Sequence, residues 1–177
     1  MTTALLIIDV QSALCSGEHA VFESQRVIER VNQVSAKARN AGSPVILVQH
    51  ESPRGTLERG SDGWRFAPGL VVENNDLVLA KTTADAFHRT ALHDELQRRG
   101  ATHLIVCGMQ SDFCVDTTIR RALALGYPVT LVSDAHSTSD NGILKAAQIS
   151  AHHTATLANI SSFGPRVTPR AAAEVEV

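Results

Sequence analysis

Short, wholly apolar runs alternate along this chain with longer segments patterned for helices, and few folds can use that rhythm. The first run, Ala4 to Ile8, stops at Asp9. Residues 22–41 then place Phe22, Val27, Ile28, Val31, Val34 and Ala38 at i, i+3, i+4 spacing on an otherwise polar helix, which Gly42 and Pro44 end. Val45 to Val48 follows, closed by Gln49 and His50. Leu77 to Ala80 closes at Lys81, and a short helix from about Thr90 to Arg99 is predicted to bury Leu92 and Leu96. Leu104 to Cys107 ends at Gly108, a helix is predicted from Asp112 to Leu125, and Val129 to Val132 ends at Ser133 and Asp134. One more helix, roughly 141–153, leads to a sixth run, Ala155 to Ile160. Strands apolar on both faces and joined by helices imply a parallel sheet covered on each side, a three-layer α/β fold.

With no repeat and no linker, residues 1–164 read as one domain, and the last dozen or so, 165–177, as a loose C-terminal tail. Segment 51–76 lacks periodicity, and a loop of that length inside a compact domain is expected to carry function. Charge adds exclusions. The 177 residues carry a formal net charge of −2 with no run of Lys or Arg, so neither a nucleic-acid nor a membrane surface is expected. No apolar stretch approaches the roughly 20 residues of a bilayer span. The opening Met-Thr-Thr-Ala lacks a basic leader, so a cytoplasmic protein is expected. Three cysteines, Cys15, Cys107 and Cys114, do not suggest a disulfide framework, and Cys107 reads as a small core residue.

Open parallel sheets bind ligands beyond the carboxyl ends of their strands. The polar residues that end the runs are therefore the candidates: Asp9, His50, Lys81, Asp134 and the block Gly108-Met-Gln-Ser-Asp-Phe-Cys114. Cys114 falls in the first turn of the helix after strand 4, where unpaired N–H groups and the helix dipole favour a thiolate and could hold an oxyanion. Asp9 could take the thiol proton, and the Lys81 charge would offset the repulsion between carboxylate and thiolate. Taken singly, each has a plainer reading: a buried Cys, a turn-capping Asp, a solvated strand-end Lys. For Lys81 to meet Asp9 from an edge strand it must cross about 10 Å, two strand spacings.

In this order, several blocks resemble the isochorismatase-like hydrolase superfamily over residues 3–160. They are Leu-Ile-Ile-Asp9-Val-Gln11, Gly60-Ser-Asp-Gly-Trp64-Arg-Phe-Ala-Pro68, Lys81 with Ala86-Phe87, Gly108-Met-Gln110-Ser-Asp-Phe-Cys114-Val-Asp116-Thr-Thr118, and Gly126-Tyr-Pro-Val with Asp134-Ala135. The resemblance implies a six-stranded parallel sheet in Rossmann-like order 3-2-1-4-5-6. It also implies an Asp9–Lys81–Cys114 triad, a cis peptide at Met109–Gln110, and an oxyanion site from the N–H groups of Gln110 and Cys114. Gln11, His50, Trp64 and Phe87 are the expected pocket walls, and a homodimer or tetramer is expected. Metal-binding members carry Asp-x-His after strand 2 and a further His in the next loop. This chain has Gln49-His50-Glu51-Ser52-Pro53 and no His from there to His88, so no catalytic metal and no other cofactor is expected, which counts against a nicotinamidase.

Isochorismatases proper cleave a vinyl ether without needing the thiol, so the retention of Cys114 favours the amidase branch. Asp134-Ala-His136-Ser-Thr-Ser-Asp140-Asn and Ala151-His152-His153 are similar to a streptothricin hydrolase-like subgroup. The expected activity is hydrolysis of a C–N bond in a small amide, carbamoyl or lactam through a Cys114 thioester. Two rivals are a vinyl-ether hydrolase that ignores Cys114 and a redox or binding protein in which Cys114 is oxidised or structural. The roles of His136, His152 and His153 stay open.

Overall fold

A computed structural model describes residues 2–18 and 20–177. Six parallel strands, β1 (Thr2–Ile8), β2 (Val45–His50), β3 (Leu77–Lys81), β4 (Ala101–Met109), β5 (Val129–Ser137) and β6 (Val167–Arg170), form one sheet in the order β3-β2-β1-β4-β5-β6. The helices are α1 (Ser12–Cys15), α2 (Ser24–Asn40), α3 (Leu92–Arg98), α4 (Asp116–Ala124) and α5 (Ala146–Asn159), with a π-helical turn, Ser111–Val115, leading into α4.

The pleat explains the continuous apolar runs. Ala4, Leu6 and Ile8 of β1 pack with Leu92, Leu96, Ile119, Ala122 and Leu157 of α3, α4 and α5 on one face. Leu5 and Ile7 pack on the other face with Val27, Ile28, Val31, Val34 and Ala38 of α2. Alternate side chains thus serve two cores. Phe22 lies ahead of α2 and is exposed, so the buried stripe starts at Val27.

Two expectations about the end of the chain fail together. Ala155 to Ile160 is not the sixth strand, because α5 runs through Asn159. The segment is rich in Ala, which favours helix, and its one buried apolar side chain, Leu157, shares a helical stripe with Ala146 and Ile149. The sixth strand is Val167–Arg170, in what was expected to be a loose tail. Pro169 disguised it in the sequence, but β6 is an edge strand, where a missing N–H is tolerated. Ala172 and Val175 are buried in the α2-side core, and Lys37 Nζ donates to the carbonyls of Ala172, Ala173 and Val175 at 2.9, 2.8 and 3.1 Å. A division at residue 164 therefore does not hold.

Asp134 also moves. The register shifts between Val106 and Gly108, and β5 continues to Ser137, so Asp134 lies inside the strand. Its Oδ1 accepts the Ala172 N–H at 2.7 Å, and it anchors the C-terminal segment instead of joining the rim.

Candidate active site

Asp9 is the residue after β1, held at φ 49°, in the left-handed region that short polar side chains tolerate best. Lys81 ends β3, two strands away. The lysine crosses that gap: its Nζ lies 2.7 Å from Asp9 Oδ2, with both side chains buried. The same ammonium is 3.3 Å from Cys114 Sγ, 3.1 Å from His50 Nδ1 and 3.1 Å from the Thr83 carbonyl. Four acceptors surround a group with three protons, so the lysine is shared among them. Asp9 Oδ1 is buried with no partner among the described residues.

Cys114 is half-buried in the π-helical turn. In an α-helix its N–H would bond the Gln110 carbonyl. Here that carbonyl accepts from the Phe113 and Val115 N–H groups instead, at 3.1 Å each, and the widened turn withdraws the Cys114 N–H from its usual acceptor. The Met109–Gln110 peptide bond preceding the turn is cis.

Electrostatics in this centre run against the expectation drawn from helix position alone. Burial pushes the Cys114 thiol up to about 12, with the negative charge of Asp9 adding to the effect and Lys81 opposing it. The resting sulfur is therefore a thiol that needs a base. Burial also raises Asp9 above the ordinary carboxylate value, against the pull of Lys81 and a hydrogen bond from Cys114, which makes it a stronger base for that proton. His50 is lowered, first by burial and then by Lys81, and so is neutral at pH 7.

One ligand atom each from Asp9, His50 and Cys114 lies within 4.8 Å of the others, a spacing that could hold a metal ion. The Lys81 ammonium contacts all three residues. A divalent ion brought there would meet a fixed positive charge, so these residues do not fit a metal.

A cavity of about 290 Å³ opens on this centre, walled by Leu14, Leu57, Ala84 and Phe113 around the polar groups of Asp9, His50, Gln110 and Cys114. A second, larger groove of about 750 Å³ shares Leu14 and Gln110 with it and is edged by Ser12, Ser16, Thr56, Ser61 and Ser139.

Of the four expected pocket walls, only His50 lines this cavity. Gln11 is fully buried, and its amide is committed to backbone: Nε2 donates to the His50 and Trp64 carbonyls at 3.0 and 2.8 Å, and Oε1 accepts the His50 N–H at 2.9 Å. It ties segment 51–76 to β2. Trp64 contributes its carbonyl to that tie, while its buried indole N–H has no acceptor among the described residues. Phe87 stacks on Tyr127, with ring centroids 6.2 Å apart, in the α3-side core. Leu14, Leu57, Ala84 and Phe113 were missed. Phe113 stands beside Cys114 in its block, which was the available signal, whereas Leu57 sits in an aperiodic loop that offers none.

The fold and this centre together define a three-layer α/β protein whose carboxylate, ammonium and thiol meet at the carboxyl rim of a parallel sheet. The Isochorismatase domain model matches residues 3–171, and the chain belongs to that family. A streptothricin hydrolase of Streptomyces noursei is 40% identical over 138 residues, 77% of this chain and 50% of that protein. The chain spans about half the length of the curated relatives of that name. A crystal structure of an isochorismatase family protein superposes with a TM-score of 0.87 at 39% identity, covering 96% of this chain and 98% of that one. An isochorismatase from Pseudomonas putida KT2440 gives a TM-score of 0.90 at 32% identity, with 98% and 90% covered.

Proposed function

We propose that this protein is a cysteine hydrolase that cleaves a C–N bond in a small amide, carbamoyl or lactam substrate. The observation that carries the reading is the contact of one buried ammonium, Lys81, with both Asp9 and Cys114. It brings a base of raised affinity for protons beside a thiol that cannot react without one.

Asp9 takes the Sγ proton as sulfur attacks the carbonyl carbon, and the new oxyanion is met by the N–H groups of Gln110 and Cys114. Transfer of the proton to Asp9 leaves a single negative charge at sulfur, and the Lys81 ammonium, 3.3 Å from Sγ, lies against it. Collapse of the intermediate expels nitrogen, which leaves with the proton Asp9 held, as ammonia, an amine or the ring-opened amine of a lactam. Water, deprotonated by Asp9, then attacks the thioester to give the acid and restore the thiol. Similarity to a streptothricin hydrolase makes streptothricin a sensible first compound to try. The apolar walls of the cavity suit an acyl group of a few carbons, and the adjoining groove gives a longer substrate a way out.

Product release should be followed on a panel of primary amides, carbamoyl compounds and lactams, with wild type and Cys114→Ala run side by side without added metal. Hydrolysis by wild type and its loss in Cys114→Ala is the expected result, a fall of about 10⁴-fold or more. Retained turnover in a folded Cys114→Ala protein that dies in Asp9→Ala would overturn the thioester and leave acid–base hydrolysis of the vinyl-ether kind. Silence on the panel together with sulfenic acid formation under peroxide would favour a redox thiol.

A further inference from the structure

Behind the π-helical turn lies a polar ring, buried at Ser111 and His136 and partly exposed at Ser150 and Thr154, that the proposed chemistry does not use. Ser111 Oγ, in the turn, is 2.8 Å from His136 Nδ1 of β5 and 2.9 Å from Ser150 Oγ of α5, and His136 Nε2 is 3.0 Å from Thr154 Oγ1. The proton directions are determined. Thr154 donates its one hydroxyl proton to the Ser150 carbonyl at 2.8 Å, so it can only accept from His136 Nε2–H. Nδ1 is then the bare nitrogen and must accept from Ser111, whose oxygen in turn accepts from Ser150. Every donor in the ring is used once. A second tie lies alongside, Thr138 Oγ1 donating to Asp112 Oδ1 at 2.5 Å.

We infer that His136, through Ser111, is a positioning residue that holds the turn carrying Cys114 and Gln110 against β1 and β3. The geometry favours this over simple core filling, for three reasons. The ring ends on the turn three residues before the sulfur. Ser111 is buried, and among the described residues its hydroxyl is the only side-chain atom of the turn that hydrogen-bonds to both β5 and α5. The turn itself is widened, so its backbone bonds alone do not determine where Cys114 stands. The inference rests on the reading of Cys114 as nucleophile, but its test does not need a substrate.

The test reads the pH–rate profile of Cys114 alkylation by iodoacetamide, with each cysteine quantified by peptide mass spectrometry. Cys15 and Cys107 are buried and serve as internal controls for loss of fold, alongside the melting temperature. His136→Asn places an amide oxygen at the distance of Nδ1 from Cβ, keeping an acceptor for Ser111 while losing Thr154. His136→Gln reaches the Nε2 position, keeping Thr154 while losing Ser111. With the turn released, the thiol leaves the burial and the Asp9 charge that hold it protonated, and it alkylates faster near pH 8. Ser111→Ala and His136→Gln should each raise that rate about tenfold and shift the profile to lower pH, while His136→Asn stays within about twofold of wild type. Coincident profiles for wild type and Ser111→Ala, or equal profiles for the two His136 variants, would overturn the inference. Should Ser111→Ala fail to fold, the Asn and Gln pair decides alone. A shifted profile with a silent amide panel would keep the positioning role and remove the hydrolase reading.

Discussion

At the scale of single residues, the buried charges of the centre bear on stability in a way that can be measured. Lys81 and Asp9 form an ion pair with almost no solvent contact. Lys81→Met would leave the Asp9 carboxylate buried without a counter-charge, at a cost of about 3–5 kcal/mol. Adding Asp9→Asn removes that charge while keeping a side chain that accepts the left-handed backbone, so the double variant should recover most of the loss in urea denaturation yet remain inactive. A second residue sets a pH dependence. His136 is buried and held neutral down to about 4, against an ordinary value of 6.5, mainly by desolvation and also by the neighbouring His153. Between those pH values the unfolded chain binds the proton and the folded chain does not, so folding stability falls as pH drops through that window, by roughly 3 kcal/mol. His50 and His103 are lowered as well and add in the same direction. Unfolding free energies at pH 7.5 and 4.5 should therefore differ markedly in wild type, and His136→Asn should flatten the difference by that residue's share.

At the scale of elements, the placement of the chemistry depends on how closely β1 and β4 end together. Gly108, at φ 115°, faces Ile8 so closely that a Cβ there would lie 2.1 Å from the Ile8 carbonyl oxygen. No side-chain motion relieves a clash with backbone, so Gly108→Ala should destabilise by several kcal/mol and displace Asp9, which follows Ile8. Thermal unfolding together with Cys114 alkylation would register both effects. The same scale shows what patterning can and cannot reveal. The first five apolar runs and the residues that close the first three were legible, since strands buried on both faces must be apolar throughout and their ends must turn polar at the rim. The sixth strand was not, because an edge strand with a proline lacks that signature and an Ala-rich helix end imitates a run. The walls of the cavity were hidden for another reason. Leu14 and Leu57 sit in a one-turn helix and an aperiodic loop, where which side chain faces the substrate is decided by tertiary folding, and the conspicuous aromatics, Trp64 and Phe87, serve the loop tie and the core.

For the molecule as a whole, the C-terminal segment is the least expected part of the architecture. β6 covers the β5 edge, Ala172 and Val175 enter the core, and Lys37 and Asp134 hold the backbone between them. Removing residues 165–177 should lower the melting temperature by about 10 °C or more and expose an edge prone to self-association, visible by light scattering. Asp9, Lys81 and Cys114 follow β1, end β3 and follow β4, none of which adjoins β6, and should keep their geometry in whatever fraction remains folded. That separation has a counterpart nearer the site. Asp9 and Lys81 extend from strands of the sheet, and Cys114 from a turn packed against it, whereas Leu57 stands on a loop and Leu14 on a one-turn helix, tied on mostly by backbone hydrogen bonds. A mutation that reshapes the loop leaves the reacting atoms where they were. On the proposed reading, descendants of such a chain are free to try new substrates without first surrendering the means of cutting them.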